Sequence, residues 1–179
     1  MQRRVLRIAF AAILLAGLSG CVQETVTGTN HIYTYELWVP LSTLLAGIVA
    51  IPAGWFLREK SSRFGWGLLI FGPIAAIFFA PSLFRERATV DDSGFTLRSG
   101  IWGMTAVHEV KFAELQKVRI TSEETRGRRG AKRTNYYFLC ECRNGTSAKV
   151  PMNNEVVKAA GPYFVTKLAE LKIPIVDET

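Results

Sequence analysis

LWVPLSTLLAGIVAIPAGWFL, residues 37–57, and FGWGLLIFGPIAAIFFAPSLF, residues 64–84, are the two stretches that decide the fold of this chain. The short polar turn Arg58–Arg63 joins them, and neither stretch contains a charged residue. At about 1.5 Å per helical residue, each is long enough to cross a hydrocarbon core of roughly 30 Å. We therefore predict a transmembrane helical hairpin over residues 37–84.

Small residues recur at a spacing of four in both stretches, and such stripes let two membrane helices approach closely. The two stripes are Ala46, Ala50 and Gly54, and Gly72, Ala76 and Ala80. Trp38, Trp55 and Trp66 lie near the predicted helix ends, where amphipathic rings favour the membrane interface. Since neither stretch holds an ionisable residue, the sequence gives no support to an ion or proton pathway.

The first 21 residues have the layout of an export signal. Met1–Arg7 is basic, Ile8–Gly17 is an apolar run too short to span a bilayer comfortably, and Leu18-Ser19-Gly20-Cys21 follows. This segment resembles a bacterial lipoprotein signal peptide with its lipobox. The resemblance implies cleavage before Cys21 and a diacylglycerol group on its sulfur. The alternative is an ordinary signal peptide or signal anchor in which the cysteine occurs by chance.

Cation placement predicts which side of the membrane each segment occupies, because Lys and Arg are retained on the cytoplasmic side. The basic N-terminus and the turn Arg58–Arg63 are expected inside, and the cation-free spacer is expected outside. Residues 85–179 then also lie outside, on the periplasmic or extracytoplasmic side. Arg85 and Arg87, just after the second apolar stretch, argue weakly for the reverse.

The spacer, residues 21–36, is polar. Thr25–Asn30 predicts a flexible tether, and His31 is expected to be solvated. The chain thus divides into a signal peptide at 1–20, the spacer at 21–36, the hairpin at 37–84 and a β-rich domain at 88–179.

The C-terminal domain alternates apolar and polar residues in the manner of β-strands. The predicted strands are Phe95–Arg98, Thr105–Phe112, Lys117–Glu123, Thr134–Arg143 and Thr146–Met152. Asn144-Gly145 is the strongest hairpin signal in the chain. Asn153 or Asn154 is expected to cap a helix. Gly161-Pro162 is expected to break it, so that Tyr163–Leu171 forms a second helix before an extended tail. The order of elements indicates an α+β membrane protein.

This pattern resembles the bacterial pleckstrin-homology-like domains that follow a pair of transmembrane helices. The matching segments are Asp92–Leu97, Val110–Val118 and Leu168–Ile175. The resemblance implies a small antiparallel β-sheet or partly open barrel closed by a C-terminal helix. It implies nothing about catalytic residues.

Cys140 and Cys142 share one face of a predicted strand, and we interpret them as buried structural cysteines. A disulfide between them is not expected, because i and i+2 neighbours on a strand lie too far apart. Zinc would need two further ligands, and His31 and His108 are the only histidines. Unpaired cysteines are unusual in an exported domain, so they argue against the predicted topology.

A basic loop between two predicted strands is a second candidate site. Its five cations are Arg126, Arg128, Arg129, Lys132 and Arg133. Anionic lipid head groups or an acidic partner surface would attract such a loop, at roughly 1 kcal/mol per cation near a charged membrane. A solvated loop without a partner is the plainer alternative. Nucleic acid is not expected as a partner outside the cytoplasm.

The sequence contains no nucleophile motif, paired carboxylates, phosphate-binding glycine loop or metal-ligand spacing, so catalysis, a metal and a cofactor are not expected. We predict a membrane-anchored, non-enzymatic binding or scaffold protein of the bacterial cell envelope. Its expected partners are membrane lipids and another envelope protein. The alternative is an assembly or stability factor for a membrane complex, acting through the hairpin itself.

Overall fold

The computed structural model describes residues 22–101, 103–126 and 132–177. The predicted signal peptide 1–20 and the candidate residues Cys21, Arg128 and Arg129 lie outside this part of the chain. The fold divides into two compact units. Of the described residues, the first unit contains Tyr35–Arg85 and Ile101–Met104, and the second contains Val22–Thr34, Glu86–Gly100 and the chain from Thr105 onwards.

Two long apolar helices form the hairpin that the sequence predicts. Helix α1 is Trp38–Leu57. The second long helix consists of α2 (Ser62–Ile74), a π-helical turn (Ala75–Phe79) and α3 (Ala80–Arg85). At the end of the π-helical turn, the N–H of Ala80 donates to the carbonyl oxygen of Ala75. The next residue is Pro81, which has no N–H to donate, so the irregular turn lies where the helical ladder is interrupted.

Both helices are long and apolar enough to cross a membrane. Little of their apolar surface is covered within the structure. In the most apolar 18-residue segment of each helix, only 22% and 17% is buried. Phe56, Phe64 and Phe71 are 75%, 74% and 70% exposed. Exposed apolar surface of this extent is uncommon in a water-soluble monomer.

Glycines let the two helices approach closely. A Cβ atom added at Gly47 would lie 2.7 Å from the carbonyl oxygen of Gly72, and one added at Gly72 would lie 2.8 Å from the carbonyl oxygen of Gly47. In the predicted second stripe, Gly72 and Ala80 are buried. In the predicted first stripe, Gly54 is buried and Ala50 lies beside Gly72, whereas Ala46 is exposed and the neighbouring Gly47 makes the contact in its place. The predicted contact is therefore confirmed for two of the three residues of the first stripe.

Five strands form the first sheet, in the order β1-β2-β3-β4-β5. They are β1 (Val22–Thr27), β2 (Asn30–Tyr35), β3 (Arg87–Val90), β4 (Gly94–Ile101) and β5 (Met104–Lys111). The prediction of a flexible tether at Thr25–Asn30 is therefore wrong, because strands occupy Val22–Thr27 and Asn30–Tyr35 with only a two-residue turn between them. The polar composition of the spacer hid the strands, because β1 lies at the edge of the sheet with nearly all its side chains exposed.

The helical hairpin is inserted between two neighbouring strands of this sheet. Strand β2 ends at Tyr35, and α1 begins at Trp38. Helix α3 ends at Arg85, and β3 begins at Arg87. Strands β2 and β3 are antiparallel partners, with Thr34 opposite Arg87. The predicted domain boundary at residue 88 therefore misses two strands that precede the helices in sequence.

Four strands form the second sheet, in the order β8-β7-β6-β9. They are β6 (Leu115–Arg126), β7 (Lys132–Cys142), β8 (Ser147–Pro151) and β9 (Ile175–Asp177). The predicted hairpin at Asn144-Gly145 is confirmed, and Gly145 has the positive φ of 81° that suits such a turn. The C-terminal tail was predicted to be extended. It forms β9, which pairs in parallel with β6 and has Ile175 opposite Val118.

Helix α4 (Glu155–Glu170) is continuous. The side chain of Asn154 caps it, as predicted, by accepting a hydrogen bond from the N–H of Val156 at 2.8 Å. The predicted break at Gly161-Pro162 is wrong, because the helix passes through both residues. Burial of one apolar face offsets the cost of an internal proline. The buried residues of that face are Val156, Val157, Ala160, Phe164 and Leu168.

Phe164 of α4 joins the two sheets. Its ring centroid lies 5.1 Å from that of Phe95 in β4 and 5.4 Å from that of Phe138 in β7. It lies 5.9 Å from that of Phe112, in the 3-10 turn between β5 and β6. The α+β prediction is thus confirmed in a coarser form: a hairpin of two long apolar helices, two open sheets and a C-terminal helix.

Candidate functional site

The N-terminal segment and the helical hairpin join the first sheet at one end of it, which we call the attachment end and define by Val22, Tyr35 and Arg87. Strands β1 and β2 are neighbours joined by the two-residue turn Gly28-Thr29, so Val22 and Tyr35 lie at the same end. The antiparallel register of β2 and β3 brings Arg87 to that end as well.

Each residue of the attachment end is close in sequence to a predicted membrane anchor. Val22 directly follows Cys21, the predicted lipidation site. Two residues separate Tyr35 from α1, and one residue separates Arg87 from α3. A flexible spacer would have left the position of the first anchor undefined. The strands instead fix all three junctions at one end of a single sheet.

A polar cluster joins β1, β2 and α4. A carboxylate oxygen of Glu24 lies 2.6 Å from Nδ1 of His31 and accepts a hydrogen bond from the hydroxyl of Tyr33 at 2.9 Å. The ring of His31 stacks on that of Tyr163, with centroids 3.7 Å apart. The prediction that His31 is simply solvated is wrong. Its partners could not be inferred from sequence, because Tyr163 belongs to an element far along the chain.

Two carboxyl groups of this domain have pKa values shifted in opposite directions. Hydrogen bonds from His31 and Tyr33 hold the pKa of Glu24 below its usual value. Burial raises the pKa of Glu86, although its carboxylate accepts a hydrogen bond from the side-chain amide of Asn154. Glu24 links β1 to β2, and Glu86 accepts a hydrogen bond from the residue that caps α4, so both carboxyl groups have a structural role.

Comparisons with family models, curated proteins and solved structures gave no match to this chain. The proposed function therefore rests on the attachment end and on the charge pattern of the sequence.

The described ends of the predicted basic loop are strand residues at the tip of a two-stranded arm. Strands β6 and β7 pair as far as Arg126 opposite Lys132, beyond the residues that β8 and β9 pair with. The three described cations, Arg126, Lys132 and Arg133, are exposed. Lys132 lies 3.1 Å from Glu124, so part of the positive charge is neutralised within the arm.

Cys140 is fully buried on β7, Cys142 is half-buried, and both are free thiols. Burial raises the pKa of Cys140 to about 12, so this thiol is protonated at neutral pH and is a poor nucleophile or metal ligand. The interpretation as a buried structural cysteine is confirmed for Cys140. Among the residues that the structure describes, no group of three or more His, Cys, Asp and Glu side chains could hold a metal ion.

An open groove of about 310 Å³ lies beside β5 and the β7–β8 turn. Its polar wall includes Glu109, Lys111 and Glu114, and Lys111 lies 3.9 Å from Glu114 in an exposed ion pair. The hydroxyl groups in its lining belong to Thr146 and Ser147, and no histidine lines the groove to activate them. The groove therefore gives no basis for assigning a reaction.

Proposed function

We propose that this chain is a membrane-anchored, non-enzymatic binding or scaffold protein that presents a pleckstrin-homology-like domain at the outer face of the bacterial cytoplasmic membrane. The attachment end is the observation that carries the proposal. Lipid on Cys21 and two membrane helices would all leave one end of one sheet, through linkers of no more than two residues. A single bilayer surface can then hold all three anchors, whereas anchors at opposite ends would need a long linker.

The charge pattern supports the orientation. Arg58, Lys60 and Arg63 lie in or beside the turn between the long helices, and such cations favour the cytoplasmic side. Both outer ends of the hairpin, and with them the sheet, then belong on the other side. A lipid-modified cysteine at residue 21 requires that same side.

The arm formed by β6 and β7 is the surface we propose for a partner. It extends beyond the neighbouring strands β8 and β9 of the second sheet, and its described tip residues are exposed. Five cations in and beside the tip favour anionic head groups or an acidic protein surface.

An assembly or stability factor acting through the hairpin is the second candidate. The exposed apolar side chains favour it, since a membrane protein could cover them as well as lipid does. The glycine contacts count against it, because Gly47, Gly54 and Gly72 already serve the packing of the hairpin on itself. Co-purification of a membrane complex with residues 37–85 alone, in mild detergent, would favour this candidate.

Reporter fusions test the orientation. Alkaline phosphatase fused after Thr179 should be active, because that enzyme needs an extracytoplasmic location. The matched control is a fusion after Ser61, in the turn between the long helices, which should be inactive. The reverse pattern would refute the proposed side of the membrane.

Incorporation of a radiolabelled fatty acid tests the anchor on Cys21. We expect label on the wild-type chain and none on Cys21→Ser, while Cys142→Ser, which alters another thiol, should be labelled normally. Absence of label from the wild-type chain would remove the lipid anchor from the proposal.

A further inference from the structure

One hairpin of the first sheet extends past the attachment end. Arg98 of β4 lies opposite Arg87 of β3, and β4 continues for three more residues to Ile101. Strand β5 returns from Met104. At about 3.3 Å per residue, Ile101 lies roughly 10 Å beyond Arg87 along the strand direction.

The described residues of this tip are apolar and uncovered. Ile101 is 47% exposed and Met104 is 83% exposed. Phe95 and Leu97 are buried residues of β4, and Gly100, with a positive φ of 123°, interrupts the regular strand geometry before Ile101. Strand β4 therefore carries an exposed apolar side chain, Ile101, past the point where the core ends. At the other end of β4 the turn is polar, with Asp92 and Ser93 exposed.

Two arginines lie directly behind the tip. Arg87 and Arg98 are cross-strand partners, and both are exposed. Like charges directly opposite each other on neighbouring strands are destabilising, and an anion held between them would relieve the repulsion. Guanidinium groups match the geometry of phosphate oxygens. From the tip inwards, apolar side chains come first and arginines second. From the interior of a bilayer outwards, acyl chains come first and phosphates second, so the two orders match.

We propose that the β4–β5 tip is a membrane-inserting site, in which Ile101 and Met104 enter the acyl boundary while Arg87 and Arg98 bind lipid phosphates. The inference rests on the proposed function, since the anchors bring the attachment end to the bilayer. Lipid is the occupant because the tip lies at the attachment end, where Tyr35 and Arg87 are within two residues of the long apolar helices in sequence. Arg87, which argues against the outer location by charge alone, then has a role there as a head-group ligand.

The test uses the full chain reconstituted into vesicles of phosphatidylethanolamine and phosphatidylglycerol. An environment-sensitive fluorophore is attached to Met104→Cys in one variant and to Val26→Cys in its matched control, both in a Cys142→Ser background. Val26 is also apolar and is 57% exposed, but it lies near the opposite end of the same sheet. The Cys142→Ser chain without a new cysteine measures background labelling of the remaining thiols.

We expect the label at position 104 to show blue-shifted emission, quenching by a lipid-attached nitroxide and protection from aqueous iodide. The label at position 26 should show none of these. Equal quenching by iodide at both positions would overturn the insertion of the tip. An alkaline carbonate wash distinguishes failure of membrane anchoring from failure of tip insertion. Removal of the chain from the vesicles would refute membrane anchoring. A retained chain with a water-exposed label would refute only the insertion of the tip.

The arginines are tested in the chain that carries the label at position 104. Arg87→Gln with Arg98→Gln should reduce the blue shift and restore iodide quenching, while Lys149→Gln with Lys158→Gln, which removes the same charge elsewhere, should change neither. Circular dichroism checks that both variants remain folded. An unchanged label depth in a folded arginine variant would refute phosphate binding at this site.

Discussion

At Gly47 the helical hairpin has no room for even a methyl group. A Cβ atom there would lie 2.7 Å from the carbonyl oxygen of Gly72 and 2.8 Å from the backbone nitrogen of Ala76, and backbone atoms cannot rotate away. We expect Gly47→Ala to separate the helices and to lower the free energy of unfolding by about 1–3 kcal/mol, the usual cost of overpacking. Thermal unfolding of the full chain in detergent micelles measures the loss.

Gly67, on α2, is the control for that variant, because nothing lies within 4 Å of a Cβ atom added there. Gly67→Ala should leave the melting temperature unchanged or raise it, since alanine is the better helix former by about 1 kcal/mol. Equal losses in the two variants would show that the hairpin tolerates no alanine, and the contact between helices would not be the cause.

Glu24 makes the stability of the β-rich domain depend on pH. Its pKa is lowered in the folded chain from an ordinary value of 4.5, so the carboxylate form favours folding. That contribution is present above the unfolded pKa and is lost as the pH falls through the lower folded pKa. On acidification from about pH 5 to about pH 3, the melting temperature of Glu24→Gln should therefore fall less than that of the wild type.

Glu86 gives the opposite sign and serves as the control. Burial raises its pKa, so the charged form is disfavoured in the folded state and stability is gained as the pH falls through the raised pKa. Glu86→Gln should raise the melting temperature at pH 7 and have less effect at pH 4. The two variants shifting together would contradict the assignment of opposite pKa shifts.

At the scale of elements, the sequence predicts a helix or turn well when the pattern that specifies it is local and involves no residue far along the chain. Two uncharged runs gave both long helices, and Asn144-Gly145 gave the β7–β8 hairpin. Strands β1 and β2 could not be predicted, because their only buried side chain is Tyr33 and their partner β3 lies beyond the helices in sequence. The break at Gly161-Pro162 was wrong because a buried apolar face outweighed local propensity.

The candidate sites divide in the same way. The lipobox cysteine and the basic loop could be named from a motif and from composition. The attachment end could not, because Val22, Tyr35 and Arg87 are far apart in sequence and meet only through the register of three strands. The β4–β5 tip follows from that register as well.

The continuity of α4 predicts the effect of a change at Gly161. Apart from its chain neighbours and the nearby helix backbone, nothing lies within 4 Å of a Cβ atom added there, and the residue is inside the helix. Gly161→Ala should raise the free energy of unfolding by less than about 1 kcal/mol, measured in urea, because crowding between the added Cβ atom and the Pro162 ring offsets part of the gain in helix propensity. Gly145→Ala should lower it, because Gly145 has a positive φ of 81°. A destabilised Gly161→Ala chain would indicate that the helix does end there.

At the scale of the whole molecule, the helices are an insertion in a β-rich domain. Tyr35 ends β2 and Glu86 directly precedes β3, the antiparallel partner of β2, so a two-residue Asn-Gly turn between them could replace residues 36–85. We expect this shortened chain, beginning at residue 22, to be soluble, monomeric and cooperatively folded. Size-exclusion chromatography measures solubility and oligomeric state, and thermal melting followed by circular dichroism measures cooperativity.

The fragment 88–179 is the control for the shortened chain. It lacks β1 and β2, so the hydrogen-bonding edge of β3 would be exposed beside the buried residues Ala88 and Val90. We expect it to aggregate or to melt without cooperativity. Equal behaviour of the two chains would show that β1 and β2 are dispensable for the fold.

The shortened chain also tests the basic loop. Arg128→Ala with Arg129→Ala should weaken binding to phosphatidylglycerol vesicles by roughly 30-fold at low salt, from about 1 kcal/mol per cation. Lys158→Ala with Lys172→Ala removes the same charge from exposed positions on and after α4 and should have little effect. Equal weakening in both variants would assign the binding to net charge rather than to the loop.

The insertion of the helices between β2 and β3 sets the order in which the chain can fold during synthesis. The hairpin of β1 and β2 leaves the ribosome first, and a lone two-stranded hairpin is barely stable in water. It must wait for its neighbour β3 until both long helices have been made. Because β3 follows both long helices in sequence, the first sheet can form only after the helical hairpin has been synthesised. A folded domain therefore indicates that synthesis has passed the hairpin. A stalled chain would instead show an unpaired strand to proteases.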